Sequence, residues 1–170
     1  MSNSLVSVVV CTYNGSRFVS EQIESICKQT YPNLQIIIVD DASTDNTFEI
    51  IKQWADKDHR IHLHRNEKNL GFNLNFDKAC KLTTGDYIAI ADQDDIWELT
   101  KIEKLVAKIN ESPDTLLVHC ISARFEKFAE LDASLRAATN AALQNPRDDP
   151  RRIDARASRR SPNSFPSRIL

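Results

Sequence analysis

The residues best suited to chemistry in this sequence are the four of Asp92-Gln93-Asp94-Asp95. Asp92 and Asp94 stand one residue apart, so in a loop both carboxylates can turn toward one site as hard oxygen ligands. Mg2+ or Mn2+ accepts one or two such carboxylates and completes its octahedron with phosphate oxygens and water. A cation held there neutralises a leaving diphosphate as a Lewis acid. Asp94 is the expected metal ligand, with Asp92 beside it. Asp95, and less readily Asp94, has a plainer reading as the N-cap of a helix beginning near Glu98. A second pair, Asp40-Asp41, can accept hydrogen bonds from a ribose hydroxyl or a base N–H, or can cap a following helix. Thr12-Tyr13-Asn14-Gly15 is a turn whose backbone and side chains offer hydrogen bonds to a base; taken alone it is only a turn.

These groups need a scaffold, and the apolar pattern supplies one. Leu5 to Cys11 is a short β-rich run that reads as a buried strand, and Leu34 to Val39 is a second. Arg60 to His64, Asp86 to Ala91 and Thr115 to His119 read as three more. Between them lie four helical patterns. Residues 17–29 align Val19, Ile23, Ile26 and Cys27; residues 45–56, capped from Ser43 to Asp45, turn Phe48, Ile51 and Trp54 inward. Residues 73–82 offer Leu74, Phe76 and Ala79 to a core, and residues 98–111 align Ile102, Leu105, Val106 and Ile109. Strand and helix in alternation predict an α/β fold, a mostly parallel sheet with helices on both faces. Ligands of such sheets bind outside the carboxyl ends of the strands. That rule brings together three polar loops, 12–15, 40–45 and 92–95.

Counting removes the commonest nucleotide-binding devices. The chain has three glycines, Gly15, Gly71 and Gly85. They are too far apart for a glycine-rich dinucleotide fingerprint or a P-loop. A nucleotidyltransferase would want a glycine-rich, basic loop after the first strand, where residues 12–17 give one glycine and one arginine. The net charge of −2 points to neither nucleic acid nor an anionic membrane. Cys11, Cys27, Cys80 and Cys120 have neither zinc nor redox spacing and read as isolated reduced thiols of a cytoplasmic protein. No signal peptide opens the sequence, and no stretch has the roughly 20 apolar residues of a membrane helix. Peripheral attachment at the inner face of a membrane is compatible with that.

Four segments in order carry a resemblance: Val8-Val-Val-Cys-Thr-Tyr-Asn-Gly15, Ile37-Ile-Val-Asp-Asp-Ala-Ser-Thr-Asp45, Asn69-Leu-Gly71 and Asp92-Gln-Asp-Asp-Ile-Trp97. In order and spacing they resemble the signatures of family 2 glycosyltransferases over roughly residues 5–120. The last segment is most similar to that of bacterial surface-polysaccharide members. The resemblance implies a GT-A, Rossmann-like fold and a hexosyltransferase-like enzyme. Such an enzyme transfers sugar from a UDP- or dTDP-sugar to a saccharide or lipid-linked acceptor hydroxyl, with inversion and with metal assistance. It implies that Thr12, Tyr13 and Asn14 border the nucleotide and that Asp41, with Asp40, contacts base or ribose. Asp92 would lie near ribose or sugar, Asp94 on the metal, and Lys68 or Arg65 toward a phosphate. The family's catalytic base and acceptor elements come from a second half, which by this resemblance is expected to be missing or replaced here. Glu126, Glu130, Asp132, Asp148 and Asp149 are acidic but sit in no recognisable context, so no base is nominated. The alternative is a nucleotide-sugar-binding remnant without catalysis.

Composition changes near residue 120. Residues 1–120 hold nine lysines and three arginines, whereas residues 121–170 hold one lysine and nine arginines. Such a shift has no folding rationale. The sequence therefore predicts a glycosyltransferase domain over 1–120 and an atypical Arg/Ala-rich tail over 121–170, either foreign to the first part (a shifted frame or a fusion) or natively disordered. A nucleic-acid-binding arm is disfavoured because no aromatic residue lies within the arginine-rich run 147–160. A fold cut at 120 would leave the fifth strand short and a sheet edge open.

Overall fold

The structure, a computed structural model, describes residues 4–120, 154–156 and 168–170. Among the described residues seven strands and four helices follow one another, alternating as far as β5: β1 (Val6–Thr12), α1 (Val19–Cys27), β2 (Leu34–Asp40), α2 (Thr47–Ala55), β3 (Ile61–Arg65), α3 (Phe72–Lys81), β4 (Tyr87–Ala91), α4 (Lys101–Ile109), β5 (Leu117–His119), β6 (Asp154–Arg156) and β7 (Arg168–Ile169). They form one sheet in the order β3-β2-β1-β4-β7-β5-β6. Every pairing is parallel except β5 with β6.

The central strands are apolar on both faces because both faces are covered. Val6, Val8, Val10, Ile36, Ile38, Ala89 and Ala91 point to the side that carries Val19, Ile23 and Ile26 of α1, Ile51 of α2 and the stripe Ile102, Leu105, Val106 and Ile109 of α4. Val9, Ile37, Val39 and Ile88 point to the other side, against Ala79 and Phe76 of α3. Strand period and helix period thus meet in two cores, as the sequence predicts.

Three expectations are corrected. Leu74 is not a core residue: it is 61 % exposed, because α3 turns Asn75 and Ala79 toward the sheet. The helix expected from residue 98 begins at Lys101, and its N-cap, Thr100, makes no side-chain cap bond. Asp95 is therefore five residues short of the cap position and does not cap that helix. The edge of β4 is not open. Tyr87 and Ile88 pair with Arg168 and Ile169, and Leu170, 8 % exposed, joins the main core. Arg168 is fixed there by donating to the Thr115 carbonyl at 2.7 Å and the Ser112 carbonyl at 3.1 Å, and also to that of Ile109 at the end of α4. The Arg-rich runs of the tail lie outside the described residues, as do the five acidic residues left unassigned above.

Gly85 sets the entry of β4 beside β1. A Cβ there would lie 2.7 Å from the Leu5 carbonyl oxygen and 2.8 Å from the Ser7 nitrogen, both backbone atoms that cannot swing away. The Gly85 N–H also donates to Ser7 Oγ at 2.9 Å. Gly85→Ala is expected to destabilise the fold by about 1–3 kcal/mol, the usual cost of overpacking, read as a lower urea midpoint at unchanged slope. A wild-type midpoint would show that β1 and β4 separate here without strain.

Candidate functional site

Register decides which loops meet. Thr12 pairs with Asp40, so the chain leaves β1 and β2 at one level. Val10 pairs with Ala91, which brings Asp92 and Gln93 out beside Cys11 and Tyr13. The strand order runs outward in both directions from β1, and at such a switch point the crossovers diverge and open a crevice. A cleft of about 360 Å³ lies there, lined by Cys11, Thr12, Tyr13, Asp41, Asn69, Gly71, Phe72, Asn75, Asp92, Gln93 and Asp94.

The walls are held by side-chain bonds to loop backbone. Asp40 is fully buried and takes its hydrogen bonds from Thr12 Oγ1 at 3.2 Å, Ser43 N–H at 3.0 Å and Ser43 Oγ at 2.5 Å. Arg65 Nε stands 3.5 Å from Asp40 Oδ2. Asp40 therefore sits behind the cleft and shapes the 41–45 loop. Asp41, also buried, lines the cleft and accepts from Asn66 Nδ2 at 2.7 Å and from the N–H groups of Leu70 and Gly71 at 2.8 and 2.9 Å. Asn66 is in turn held by Asn75 and Lys78.

The 12–15 loop is clasped from both sides. From β2's loop, Ser43 Oγ accepts from Asn14 N–H, Thr47 Oγ1 from Gly15 N–H, and Asp45 from Ser16 N–H. Asn14 is left-handed at φ 48°, a conformation asparagine tolerates. Its Oδ1 accepts from the Thr44 N–H, so the side chain serves the clasp rather than the cleft lining. Ala42, at φ 59°, has no such excuse and marks local strain beside Asp41. From the acidic loop, Gln93 pairs with the Tyr13 backbone.

Asp45 couples this clasp to pH. Burial works against its charge, but hydrogen bonds from Thr47 and Ser16 hold its pKa down at about 2. A depressed pKa means stability that is present above the unfolded value near 4 and lost as pH falls toward 2. Asp45→Asn should therefore flatten the acid limb of the stability profile between about pH 5 and 2. Thermal unfolding across that range checks it; an unchanged acid limb would remove Asp45 from the clasp.

Asp92 and Asp94 are exposed and line one cleft. Half-buried Asp95 is pushed up, first by burial and then by the charges of Asp92 and Asp94, with Lys101 opposing. Beyond them Trp97 anchors the loop: it is 4 % exposed, its backbone N–H donates to Ser25 Oγ at 3.0 Å, and Lys101 lies 4.1 Å over its ring. Among the described residues no three His, Cys, Asp or Glu side chains gather to enclose a metal ion. The acidic loop thus offers an open two-carboxylate face, the donor set that Mg2+ and Mn2+ share with phosphate and water.

Of the residues expected at the site, Thr12, Tyr13, Asp41, Asp92 and Asp94 line the cleft, while Asn14 and Asp40 support it from behind. Arg65 is engaged with the Ser43 carbonyl and stacked on Phe48, and exposed Lys68 lies outside the lining. Sequence reasoning did not assign Asn69, Gly71, Phe72, Asn75 or Gln93. The Asn69-Leu-Gly71 segment was a usable signal, since Gly71 has φ 80° and donates to Asp41. All four cysteines are free; burial pushes the thiols of Cys11 and Cys27 up to about 12, which makes them poor nucleophiles.

The chain resembles several known proteins. An uncharacterised glycosyltransferase of Haemophilus influenzae is 42% identical over 110 residues, 64% of this chain and 33% of that protein. The putative teichuronic acid biosynthesis glycosyltransferase TuaG of Bacillus subtilis is 39% identical over 100 residues, 59% of this chain and 40% of that protein. This chain therefore spans a third to two fifths of these two relatives. Among solved structures, Staphylococcus aureus TarS 1–349 in complex with UDP-GlcNAc aligns with a TM-score of 0.65 and 26% identity, over 72% of this chain and 37% of that one. The mannosyltransferase PcManGT from Pyrobaculum calidifontis, in complex with GDP-Man and Mn2+, gives 0.65 and 26% over 73% and 37%. The model of glycosyl transferase family 2 matches residues 7–164, nearly the whole sequence, and the chain belongs to that family.

Proposed function

We propose that this chain holds the nucleoside-diphosphate-sugar side of an inverting, metal-assisted glycosyltransferase of cell-surface polysaccharide synthesis. One observation carries the reading: the cleft at the β1/β4 switch point joins Thr12, Tyr13 and Asp41 on one side to Asp92 and Asp94 on the other. The first group offers hydrogen bonds and a ring to a nucleoside. The second faces the place where its diphosphate would extend. Asp94, with Asp92, would hold Mg2+ or Mn2+, which when bound stabilises the charge of the departing diphosphate. Asn14 and Asp40 would act by fixing the loops that touch the nucleotide. The complexes of TarS with UDP-GlcNAc and of PcManGT with GDP-Man and Mn2+ support a nucleotide-sugar donor and a divalent ion.

Residues 1–120 are assigned to this donor domain, and 121–170 to a compositionally distinct segment. The acceptor would be a saccharide or lipid-linked hydroxyl on the cytoplasmic face, reached by a peripheral protein. No helix among the described residues is long and apolar enough to cross a membrane. The cleft's carboxylates are Asp41, Asp92 and Asp94. Asp41 already accepts three hydrogen bonds and the other two face the place proposed for the diphosphate, so no base for the acceptor is assigned among the described residues. The second reading is donor binding without transfer.

The test is thermal unfolding with UDP, dTDP and GDP, each with and without Mn2+, followed by assay of sugar release from the matching donor. Binding adds directly to stability. A Mn2+-dependent shift with at least one nucleotide is expected; no shift with any would overturn the donor site. Donor binding without release in the presence of acceptor saccharides would favour the second reading.

A further inference from the structure

Gln93 lies between the two carboxylates of the acidic loop and makes a double contact with a single residue across the cleft. Its Oε1 accepts from the Tyr13 N–H at 2.9 Å, and its Nε2 donates to the Tyr13 carbonyl at 3.3 Å. A primary amide is the one neutral side-chain group that carries a donor and an acceptor side by side, and so it matches the N–H and C=O of one extended residue. The sheet places the two partners at one level, since β1 and β4 run in register up to Val10 and Ala91. Gly15 completes the fit: the three atoms nearest to a Cβ built at that position all belong to the Gln93 amide, the closest being Oε1. Gly15 is also not left-handed, since the positive-φ residues are Asn14, Ala42 and Gly71. A side chain at position 15 would therefore have to displace the Gln93 amide.

We infer that Gln93 is a positioning residue that locks the Tyr13 loop to the acidic loop, so that the nucleoside and cation sides of the cleft are set as one unit. Tyr13 is 45 % exposed and lines the cleft, so the lock orients the peptide that aims its ring. Asp92 and Asp94 flank the locked residue, so the lock also fixes the spacing between carboxylates and nucleoside. Nucleotide affinity and its dependence on cation then become coupled through the contact between Gln93 and the Tyr13 backbone. A glutamate at 93 would set an acceptor against the Tyr13 carbonyl and add charge to the loop. An apolar residue would fill space without orienting it.

The inference rests on the donor-site reading, and two measurements separate them. The first needs no ligand: amide exchange of residues 13–16 in the intact protein. Gln93→Ala should raise it about tenfold, since the Tyr13 N–H loses its acceptor; unchanged exchange overturns the lock. The second is calorimetric titration of UDP, dTDP and GDP with and without MnCl2 into wild type, Q93A, G15A and the double variant. Q93A should lose about three- to tenfold in affinity, as expected for two hydrogen bonds, and its gain from Mn2+ should shrink although both carboxylates remain. A residue that only fills space would lower the melting temperature without changing that gain. G15A, which leaves Gln93 present but displaces its amide, should show the same defect, and the double variant should be no worse than either. Additive effects, or wild-type affinity and Mn2+ gain in Q93A, overturn the inference. A wild-type chain that binds none of the three with Mn2+, while exchange still rises in Q93A, overturns the donor reading instead.

Discussion

Asp41→Ala is expected to lower folding stability by about 3 kcal/mol, the scale of losing several hydrogen bonds to one buried charge, and to abolish nucleotide binding at the same time. The carboxylate is 3 % exposed and serves three donors from one stretch of chain: the Asn66 side chain, Leu70 N–H and Gly71 N–H. Removing it strands the Asn66 amide in a buried network with Asn75 and Lys78. The two backbone groups are part-buried and can recover water, which keeps the cost below the sum of three such bonds. Binding suffers because Asn69, Gly71 and Phe72, which line the cleft, hang from this anchor. Asp41→Asn isolates the cause. It keeps one acceptor and the same volume but turns an NH2 toward a donor, so an intermediate loss is expected. Urea unfolding and nucleotide titration of both variants check this. A wild-type midpoint for Asp41→Ala would mean that the 66–71 loop holds itself.

The scaffold of this site was legible because strand and helix periods are strong where both sheet faces are covered. Leu34 to Val39 is apolar at almost every position and lies in β2, buried throughout except at Gln35. The stripe Ile102, Leu105, Val106 and Ile109 is buried as its spacing demands. Failures came where a local rule competed with tertiary geometry. Leu74 fitted a helical core stripe, but α3 meets the sheet through Asn75, whose Nδ2 donates to the Val39 carbonyl, and that rotates Leu74 outward. Asp95 fitted a cap, but buried Trp97 holds the loop against α1 and delays α4 to Lys101. The pairing of Arg168 and Ile169 with β4 could not be read at all, because a two-residue strand carries no period and joins a partner eighty residues away. At the site, residue types suggested a chemistry, while only register separated cleft from support. Asp40 and Asp41 are neighbours of one type. Asp40 ends β2 and faces inward to Ser43 and Thr12, and Asp41 leaves the strand toward the cleft.

The cation prediction follows from the charge of the acidic loop, and its sign depends on the cation. Asp92 and Asp94 are exposed, and beside them burial first and then their charges push the Asp95 carboxyl up against the pull of Lys101. A diphosphate entering this face without a cation meets like charge. Asp94→Ala should then bind UDP or GDP as well as the wild type or about two- to fivefold better in a chelator, since it removes one repulsive charge that water partly screens. With Mn2+ the order should reverse. The wild type is expected to gain about 100-fold in nucleotide affinity, which at saturating nucleotide adds about 2.7 kcal/mol to unfolding. Asp94→Ala should gain little, because one carboxylate and a diphosphate leave the ion short of hard ligands. Asp92→Ala should fall between them. Asp95→Asn should keep most of the gain, since Asp95 is half-buried and outside the cleft lining. A crossing of this kind cannot come from a variant that is merely unstable, because instability lowers affinity under both conditions. Parallel curves for wild type and Asp94→Ala, with and without Mn2+, would place the cation on other residues and leave the acidic loop a purely structural connection between β4 and α4.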